Sequence, residues 1–149
     1  MDTFRAIDAG TQRGEFANED RDCTVRATAI AAQISYKEAH ALLALHGRKN
    51  RRGILYSVFL NRLKAHGGQI GSYRVESVKM PDCWLTRIWT FGLPTKSVSL
   101  ARFLKDFPKG RFVVRTRGHV FAVIDGQQYD TAPNGPRCKI TGIYHFTKA

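Results

Sequence analysis

The stretch GHVFAVIDGQQYDT, residues 118–131, decides the fold predicted for the second half of the chain. Its apolar run, residues 120–124, has the composition of a strand that is buried on both faces. The dipeptide Asp125-Gly126 that follows is a strong signal for a two-residue hairpin turn. We therefore predict two antiparallel strands joined by this turn, with Phe121 opposite Asp130.

The same hairpin brings a histidine and a carboxylate together. His119 lies two residues from Phe121, so the two side chains point to the same face of the sheet. Asp130 is then a diagonal neighbour of His119, with the two backbones roughly 7–8 Å apart. A three-residue loop would place these side chains on opposite faces, so the prediction depends on the turn. A carboxylate that holds an imidazole is the pair that orients a general base.

A cysteine lies far upstream, in NEDRDCTVRATAIAA, residues 18–32. There a run of charges gives way to small apolar residues, and we predict an alanine-rich helix over about residues 24–33. Cys23 would begin this helix, where the unpaired N–H groups and the helix dipole favour a thiolate and stabilise an oxyanion. A nearby imidazolium would lower the pKa of the thiol further. We therefore predict a site of Cys23, His119 and Asp130, in a chain order typical of cysteine hydrolases.

Each member of this site also has a simpler interpretation. A lone cysteine near a helix start is most often a small buried hydrophobe, and a histidine that opens a strand is most often structural. Asp130 would then be a turn or surface residue. Because the three-residue combination is more specific than any member, we favour the catalytic interpretation. Asp22 is expected to cap the helix and Asp125 to form the turn.

Two further helices are predicted in the first half of the chain. Ser35 and Glu38 have the spacing of a capping box, and Gly47 is a C-terminal stop. A third helix is expected over residues 54–66, where one face carries an apolar stripe. That stripe consists of Ile54, Leu55, Val58, Phe59 and Leu63.

The second half of the chain favours strands. A short helix is predicted from the capping residue Ser99 to the stop at residues 108–110. The runs rich in β-branched and aromatic residues, separated by Gly, Pro and Asn, predict strands. Helices first and strands later are typical of an α+β fold. We expect one domain over residues 1–149, with N-terminal helices packed on a C-terminal antiparallel sheet and an irregular segment over residues 1–17.

The chain is strongly basic, with 24 Lys and Arg against 12 Asp and Glu and a net charge of +12. Such a charge indicates an acidic or polyanionic partner, namely nucleic acid, an acidic protein or an anionic envelope polymer. The basic residues are scattered, apart from one cluster, GRKNRRG, at residues 47–53. The alternative is a solvated basic surface without a specific partner.

The composition also bears on location and cofactors. Cys23, Cys83 and Cys138 form no CxxC pair, which fits free thiols in a reducing compartment. The sequence contains neither the apolar core of a secretory signal nor a run of about 18 apolar residues, so we expect a cytoplasmic protein without a membrane span. The histidines lack paired-ligand spacing and no glycine-rich phosphate motif is present, so neither a metal nor a cofactor is expected.

Three segments together resemble papain-like cysteine peptidases, with the bacteriocin-processing type and small phage-encoded relatives as the nearest in character. They are DCTVRATAIAAQISYKEAHALL, SLARFLKDFPKG and RFVVRTRGHVFAVIDGQQYDT, spread over about residues 18–131. The resemblance implies a papain-like fold with Cys23 as nucleophile, His119 as general base and then acid, and Asp130 as the residue that orients the imidazole. It also implies a peptide or protein substrate cleaved through a thioester, without a cofactor.

One position departs from the family pattern. Such enzymes usually carry a glutamine about six residues before the cysteine, as the side-chain half of the oxyanion hole. Position 17 here is alanine, and we expect Asn18 to take this part because its carboxamide lies five residues before Cys23. The missing glutamine favours a second interpretation, a catalytically weak papain-like protein that binds nucleic acid or an acidic host protein. A third is a cell-wall amidase delivered by a phage particle.

Overall fold

The structure is a computed structural model that describes residues 4–7, 22–49, 54–80, 86–90 and 93–149. Within these residues it has an α+β fold, so the predicted class is confirmed. In the same residues no helix is both long and apolar enough to cross a membrane. The helices are α1 (Cys23–Ala32), α2 (Tyr36–Leu45), α3 (Tyr56–Lys64) and α4 (Leu100–Asp106). The strands are β1 (Phe4–Ala6), β2 (Gln69–Ile70), β3 (Tyr73–Ser77), β4 (Thr86–Thr90), β5 (Leu93–Ser99), β6 (Arg111–Thr116), β7 (His119–Ile124), β8 (Gln127–Asp130), β9 (Lys139–Ile140) and β10 (Gly142–Lys148).

The described strands form two sheets. The larger has the order β1-β8-β7-β6-β10-β3-β2, and the smaller has the order β4-β5-β9. Strand β1 runs parallel to β8, and the other described pairs are antiparallel. Strands β6, β7 and β8 follow one another in space as in sequence, which is the arrangement that short turns allow.

The β7–β8 hairpin forms as predicted. Asp125 and Gly126 have φ values of 50° and 79°, the positive values that a two-residue type I′ turn requires. The turn pairs Ile124 with Gln127, and the Asp125 carboxylate accepts a hydrogen bond of 2.9 Å from the backbone N–H of Gly110. The register that controls the site at the far end of the hairpin is therefore fixed by local turn chemistry.

Strand β7 is buried on both faces, again as predicted. On one face Val120 and Ala122 pack in a cluster with the apolar side chains of α1, α2 and α3. On the other face Phe121 and Val123 join a second cluster that contains Phe103 of α4. Alternation along a strand sends successive side chains to opposite faces, so one continuous apolar run supplies both cores.

Helix α1 is held against the larger sheet by its small side chains and by one cation. Ala27 and Ala31 are buried and allow the helix to approach the sheet closely. At the C-terminal end of α1, the guanidinium of Arg111 on β6 donates to the carbonyls of Ile30 and Ala31 at 2.9 and 2.8 Å. A cation at the C-terminal turn complements the helix dipole. These contacts fix where the opposite end of α1, with Cys23, lies over the sheet.

Two of the predicted helix caps, Ser35 and Ser99, are present. The Ser35 hydroxyl accepts a hydrogen bond of 3.0 Å from the backbone N–H of Glu38. The Ser99 hydroxyl accepts one of 3.2 Å from the N–H of Arg102. Helix α2 ends before Gly47, which has a φ of 109°. Side-chain capping therefore sets where α2 and α4 begin.

The apolar stripe predicted for the third helix is partly wrong. Leu55 and Val58 are 66% and 37% exposed, whereas Tyr56 and Leu60 are buried with Phe59 and Leu63. The cause is Tyr56, whose hydroxyl lies 2.9 Å from the buried hydroxyl of Thr28. The Tyr56 ring packs in the core against Phe59 and Tyr144, its hydroxyl is satisfied by Thr28, and Leu55 is left facing outward.

The prediction of an irregular segment over residues 1–17 is wrong for Phe4–Ala6, which form β1. These residues add a parallel strand to the edge of the β7–β8 hairpin, and Ala6 pairs with Asp130. The backbone N–H of Ile7 donates to the Asp130 carbonyl at 3.0 Å. An unpaired edge strand offers a row of free backbone groups, and β1 occupies those of β8.

Candidate active site

Cys23 is the first residue of α1, as predicted, and is half-buried. The residue before it, Asp22, does not cap the helix as expected. Asp22 lies at the N-cap position, but its carboxylate does not bond the helix N–H groups. It is 1% exposed, accepts a hydrogen bond of 2.7 Å from the Tyr36 hydroxyl and pairs with Arg26. The buried carboxylate therefore ties α1 to α2 rather than capping the helix.

His119 and Asp130 are in direct contact, which confirms the juxtaposition predicted from the hairpin. The imidazole Nε2 and the carboxylate Oδ2 are 2.6 Å apart. The His119 side chain is 32% exposed, whereas that of Asp130 is 6% exposed. The carboxylate is thus enclosed by the protein while one edge of the imidazole remains open to solvent.

The Cys23 thiol is the second partner of the imidazole. The thiol and the His119 ring form a side-chain hydrogen bond, and a backbone hydrogen bond joins the sulfur to Val120. Because Asp130 takes Nε2, the ring nitrogen that remains for the sulfur is Nδ1. The three predicted residues therefore form one chain of contacts, from thiol to imidazole to carboxylate.

These contacts shift the pKa of both partners in directions that favour charge separation. Burial acts to raise the pKa of the Cys23 thiol, but hydrogen bonds from His119 and Val120, with the charges of His119 and Arg26, lower it below its ordinary value. The hydrogen bond to Asp130, followed by that to Cys23, raises the pKa of His119 to about 9 against the effect of burial. A lowered thiol pKa and a raised imidazole pKa favour the thiolate–imidazolium pair between the two values.

Asp130 is itself held as a carboxylate. Burial acts to raise its pKa, but hydrogen bonds from His119 and Asn134, the charge of His119 and the N–H of Thr131 lower it below its ordinary value. The Thr131 N–H donates to Oδ1 at 2.7 Å, and the Asn134 amide donates to Oδ2 at 3.0 Å. With both oxygens bonded, the carboxylate has a fixed direction toward the imidazole.

Sequence reasoning missed Asn134 and its support, Gln128. Gln128 is 3% exposed, and its Oε1 accepts from the backbone N–H and the side-chain amide of Asn134 at 2.9 and 3.0 Å. Its Nε2 donates to the Asn134 carbonyl at 3.0 Å. Gln128 precedes Asp130 by two residues and so shares its face of the strand, which is the one signal in the sequence that points to this support.

A cleft of about 270 Å³ opens beside the thiol and the imidazole. It lies between the start of α1, the start of α3 and the β6–β7 turn. Besides Cys23 and His119, its lining includes Ile54, Leu55 and Val120. The outward rotation of Leu55 at the start of α3 thus gives the cleft an apolar wall. A molecule that enters here meets the sulfur and the imidazole together.

Of the other residues considered from the sequence, two fall outside the part of the chain that the structure describes and one lies apart from this cluster. Asn18, the expected oxyanion donor, and Cys83 lie outside the described residues. Cys138 is half-buried at a separate position, where burial raises the pKa of its thiol against a hydrogen bond with Thr116. In the described part of the chain, no group of three or more His, Cys, Asp and Glu side chains is placed to hold a metal.

Comparisons with protein-family models, with curated proteins and with solved structures find no match to this chain. The chemistry of the site therefore has to be judged from its own geometry. A nucleophile next to a base, with the base oriented by a third group, is the arrangement that activates a thiol for attack on a carbonyl carbon.

Proposed function

We propose that this protein is a cysteine hydrolase that cleaves a peptide, isopeptide or related amide bond. The observation that carries the proposal is the position of one imidazole between a thiol and a carboxylate. His119 bonds the half-buried Cys23 on one side and the enclosed Asp130, at 2.6 Å, on the other. These are the positions of nucleophile, base and orienting group in a triad.

The proposed reaction has two steps. The Cys23 thiolate attacks the carbonyl carbon, the C–N bond breaks, and the His119 imidazolium gives its proton to the leaving amine. Water then attacks the thioester, His119 takes a proton from that water, and the C–S bond breaks to release the acid. Asp130 keeps the imidazole oriented and stabilises its charged form throughout.

The oxyanion formed in each step needs hydrogen-bond donors. The first N–H groups of a helix have no partner within the helix, and Cys23 is the first residue of α1. The backbone at the start of α1 is therefore the proposed first donor, and Asn18 stays the predicted second one. Loss of one oxyanion donor typically lowers the rate about 10²–10³-fold.

We further propose that the α+β architecture is papain-like. In support, a helical half carries the candidate nucleophile, a mostly antiparallel sheet carries the candidate base and the carboxylate, and the cleft lies between the two. A free nucleophilic thiol suits a reducing compartment such as the cytoplasm.

The alternative is a protein that binds nucleic acid or an acidic protein through its charge of +12. Charge alone predicts binding that weakens steeply with salt and does not change in Cys23→Ala. It gives no reason for a thiol, an imidazole and a carboxylate to meet beside a cleft. The hydrolase is therefore the function that this geometry supports best.

The test is hydrolysis of a mixed peptide library by the full chain, followed by mass spectrometry of the products. We expect cleavage by the wild type and by Cys138→Ala, and none by Cys23→Ala. An intact-mass adduct that forms with substrate in the wild type and is absent from Cys23→Ala would identify the thioester. Cleavage that continues in purified Cys23→Ala would refute the proposal.

A further inference from the structure

One cation lines the cleft beside the candidate nucleophile. Arg115 lies on β6, opposite Val120 of β7, and is the one Lys or Arg among the described residues that line this space. The surrounding wall is mostly apolar. Ligand sites often combine apolar walls with a few placed polar groups, because the walls supply affinity and the polar groups supply orientation.

The Arg115 guanidinium has two long hydrogen bonds within the described part of the chain. Its Nε and Nη2 donate to the side chain and the carbonyl of Thr141 at 3.4 and 3.3 Å. Both distances exceed the usual range of about 2.7–3.2 Å for N–H···O bonds. Its Nη1 has no hydrogen-bond partner within the described residues. The guanidinium is thus oriented by Thr141, and no other group among the described residues takes the rest of its fork.

Gly142 makes room for this side chain. A Cβ at this position would lie 3.2 Å from the Arg115 Nε and 3.1 Å from the Tyr144 hydroxyl. Gly142 pairs with Arg115 across the sheet, so the absence of a side chain lets the guanidinium lie over the strand. Substitution by alanine would displace the guanidinium without removing its charge.

The apolar part of the cleft faces the same space. Ile54 and Leu55 stand at its rim, and Leu55 is 66% exposed. An apolar side chain of a substrate would cover this leucine and remove its surface from water. A peptide bound in this cleft would therefore contact both an apolar surface and a guanidinium beside the Cys23 sulfur.

We propose that the cleft selects a substrate with a carboxylate close to the scissile bond, which Arg115 binds, and an apolar residue beside it, which Leu55 covers. This inference rests on the proposed hydrolase function and specifies its substrate class as acidic peptides. The guanidinium fork matches a carboxylate in shape and charge. The net charge of +12 steers such substrates toward the protein.

The first experiment measures how well acetylated dipeptide aldehydes protect Cys23 from iodoacetamide. Leucine and glutamate are combined in both orders, and each aldehyde is compared with its glutamine counterpart. We expect one glutamate aldehyde to protect about tenfold better than its glutamine counterpart, because a hydrogen bond to a charged group contributes about that factor. The preference should disappear in Arg115→Gln and persist in Arg117→Gln, an exposed arginine of the neighbouring turn.

A second arm separates the two possible sources of the carboxylate. Acetylated tripeptides that end in a free α-carboxylate are compared with the same peptides ending in an amide. If only the free-acid peptides are preferred, and the preference is lost in Arg115→Gln, the carboxylate is a chain terminus and not a side chain. Gly142→Ala should reduce whichever preference is found, by less than Arg115→Gln does.

Two results would overturn the inference. One is protection without any carboxylate preference, and the other is a preference that survives Arg115→Gln. The proposed function fails in a distinguishable way, since Cys23 would then react with iodoacetamide no faster than Cys138 in the absence of any peptide. Thermal melting verifies that Arg115→Gln is folded. If Arg115→Gln does not fold, Gly142→Ala, which keeps the charge, takes its place in the test.

Discussion

Cys23 and Cys138 are both half-buried thiols, yet the protein shifts their pKa values in opposite directions. At Cys138, burial raises the pKa and a hydrogen bond with Thr116 does not reverse the shift. At Cys23, burial acts in the same sense but is outweighed by His119, Val120 and Arg26. The partners of a thiol, rather than its exposure, therefore decide the direction in which its pKa shifts.

The difference originates in the elements that carry the two thiols. Cys23 begins a helix and lies against the start of β7, where N–H groups and an imidazole converge. Cys138 lies in the connection between β8 and β9, where its N–H donates to the Gly135 carbonyl at 3.0 Å. The first variant below removes the Cys23 sulfur. The others remove His119, the carboxylate bonded to it or the amide behind that carboxylate, so Cys23 should come to resemble Cys138 by decreasing amounts.

The largest effect is expected from removal of the sulfur. Cys23→Ala should lower hydrolysis of a cleaved library peptide by more than about 10⁴-fold, because loss of the nucleophile removes the covalent route. Cys138→Ala is the matched control and should change the rate less than twofold. Initial rates from chromatography of the products measure both. An equal loss in the two variants would mean that Cys23 is not the nucleophile.

The second largest effect is expected from removal of the imidazole. In His119→Gln at pH 6, alkylation of Cys23 by iodoacetamide should slow about 10- to 100-fold, because a hydrogen bond to a charged group contributes about 1.5–3 kcal/mol. Peptide mapping gives the rate for each thiol in the same sample. The control is His40→Gln, on α2, which should leave the rate unchanged. A wild-type rate in His119→Gln would show that the imidazole does not activate Cys23.

Removal of the carboxylate charge should lower the pKa of His119 and, as a consequence, slow the alkylation of Cys23. The hydrogen bond to Asp130 is the largest cause of the raised His119 pKa of about 9, so Asp130→Asn should lower that pKa toward its ordinary value. The imidazolium then loses its proton at lower pH, and Cys23 alkylation at pH 8 should slow about tenfold. Titration of the His119 ring signals by NMR measures the shift. An unchanged titration near pH 9 would contradict the assignment of its cause.

The smallest effect is expected from the amide behind the carboxylate. Asn134→Ala removes the 3.0 Å hydrogen bond to Asp130 and part of the contact with Gln128. We expect the His119 pKa to fall less than in Asp130→Asn, and hydrolysis to slow about threefold to tenfold, because His119 and Thr131 still bond the Asp130 carboxylate. Asn61→Ala, at an exposed position of α3, is the control. A shift as large as that of Asp130→Asn would mean that Asn134 also acts directly on the imidazole.

The contacts that sequence predicts well are those set by local chemistry. Asp125-Gly126 determines a two-residue turn, the turn determines register, and the register brings His119 to Asp130. The start of α1 at Cys23 follows from the change from charged to alanine-rich sequence. Both predictions need only a few neighbouring residues, and these local interactions are kept in the folded protein.

Contacts that depend on distant partners were not predictable in the same way. Tyr56 is buried with its hydroxyl bonded to Thr28 of α1 and its ring against Tyr144 of β10, so the buried face of α3 depends on residues far away in the sequence. The support of Asp130 by Asn134 requires the loop after β8 to fold back on Gln128. Strand β1 is three residues long and has no periodicity of its own, so its pairing follows from the free edge of β8.

The most direct measurement is the pH dependence of iodoacetamide alkylation at Cys23 and Cys138 in one wild-type sample. We predict that Cys23 reacts at a pH below the ordinary range of thiols, that Cys138 reacts only above it, and that the Cys23 curve shows a second inflection near pH 9, where His119 loses its proton. Two coincident curves with a single ordinary thiol inflection would contradict the claim that His119 and Asp130 activate Cys23.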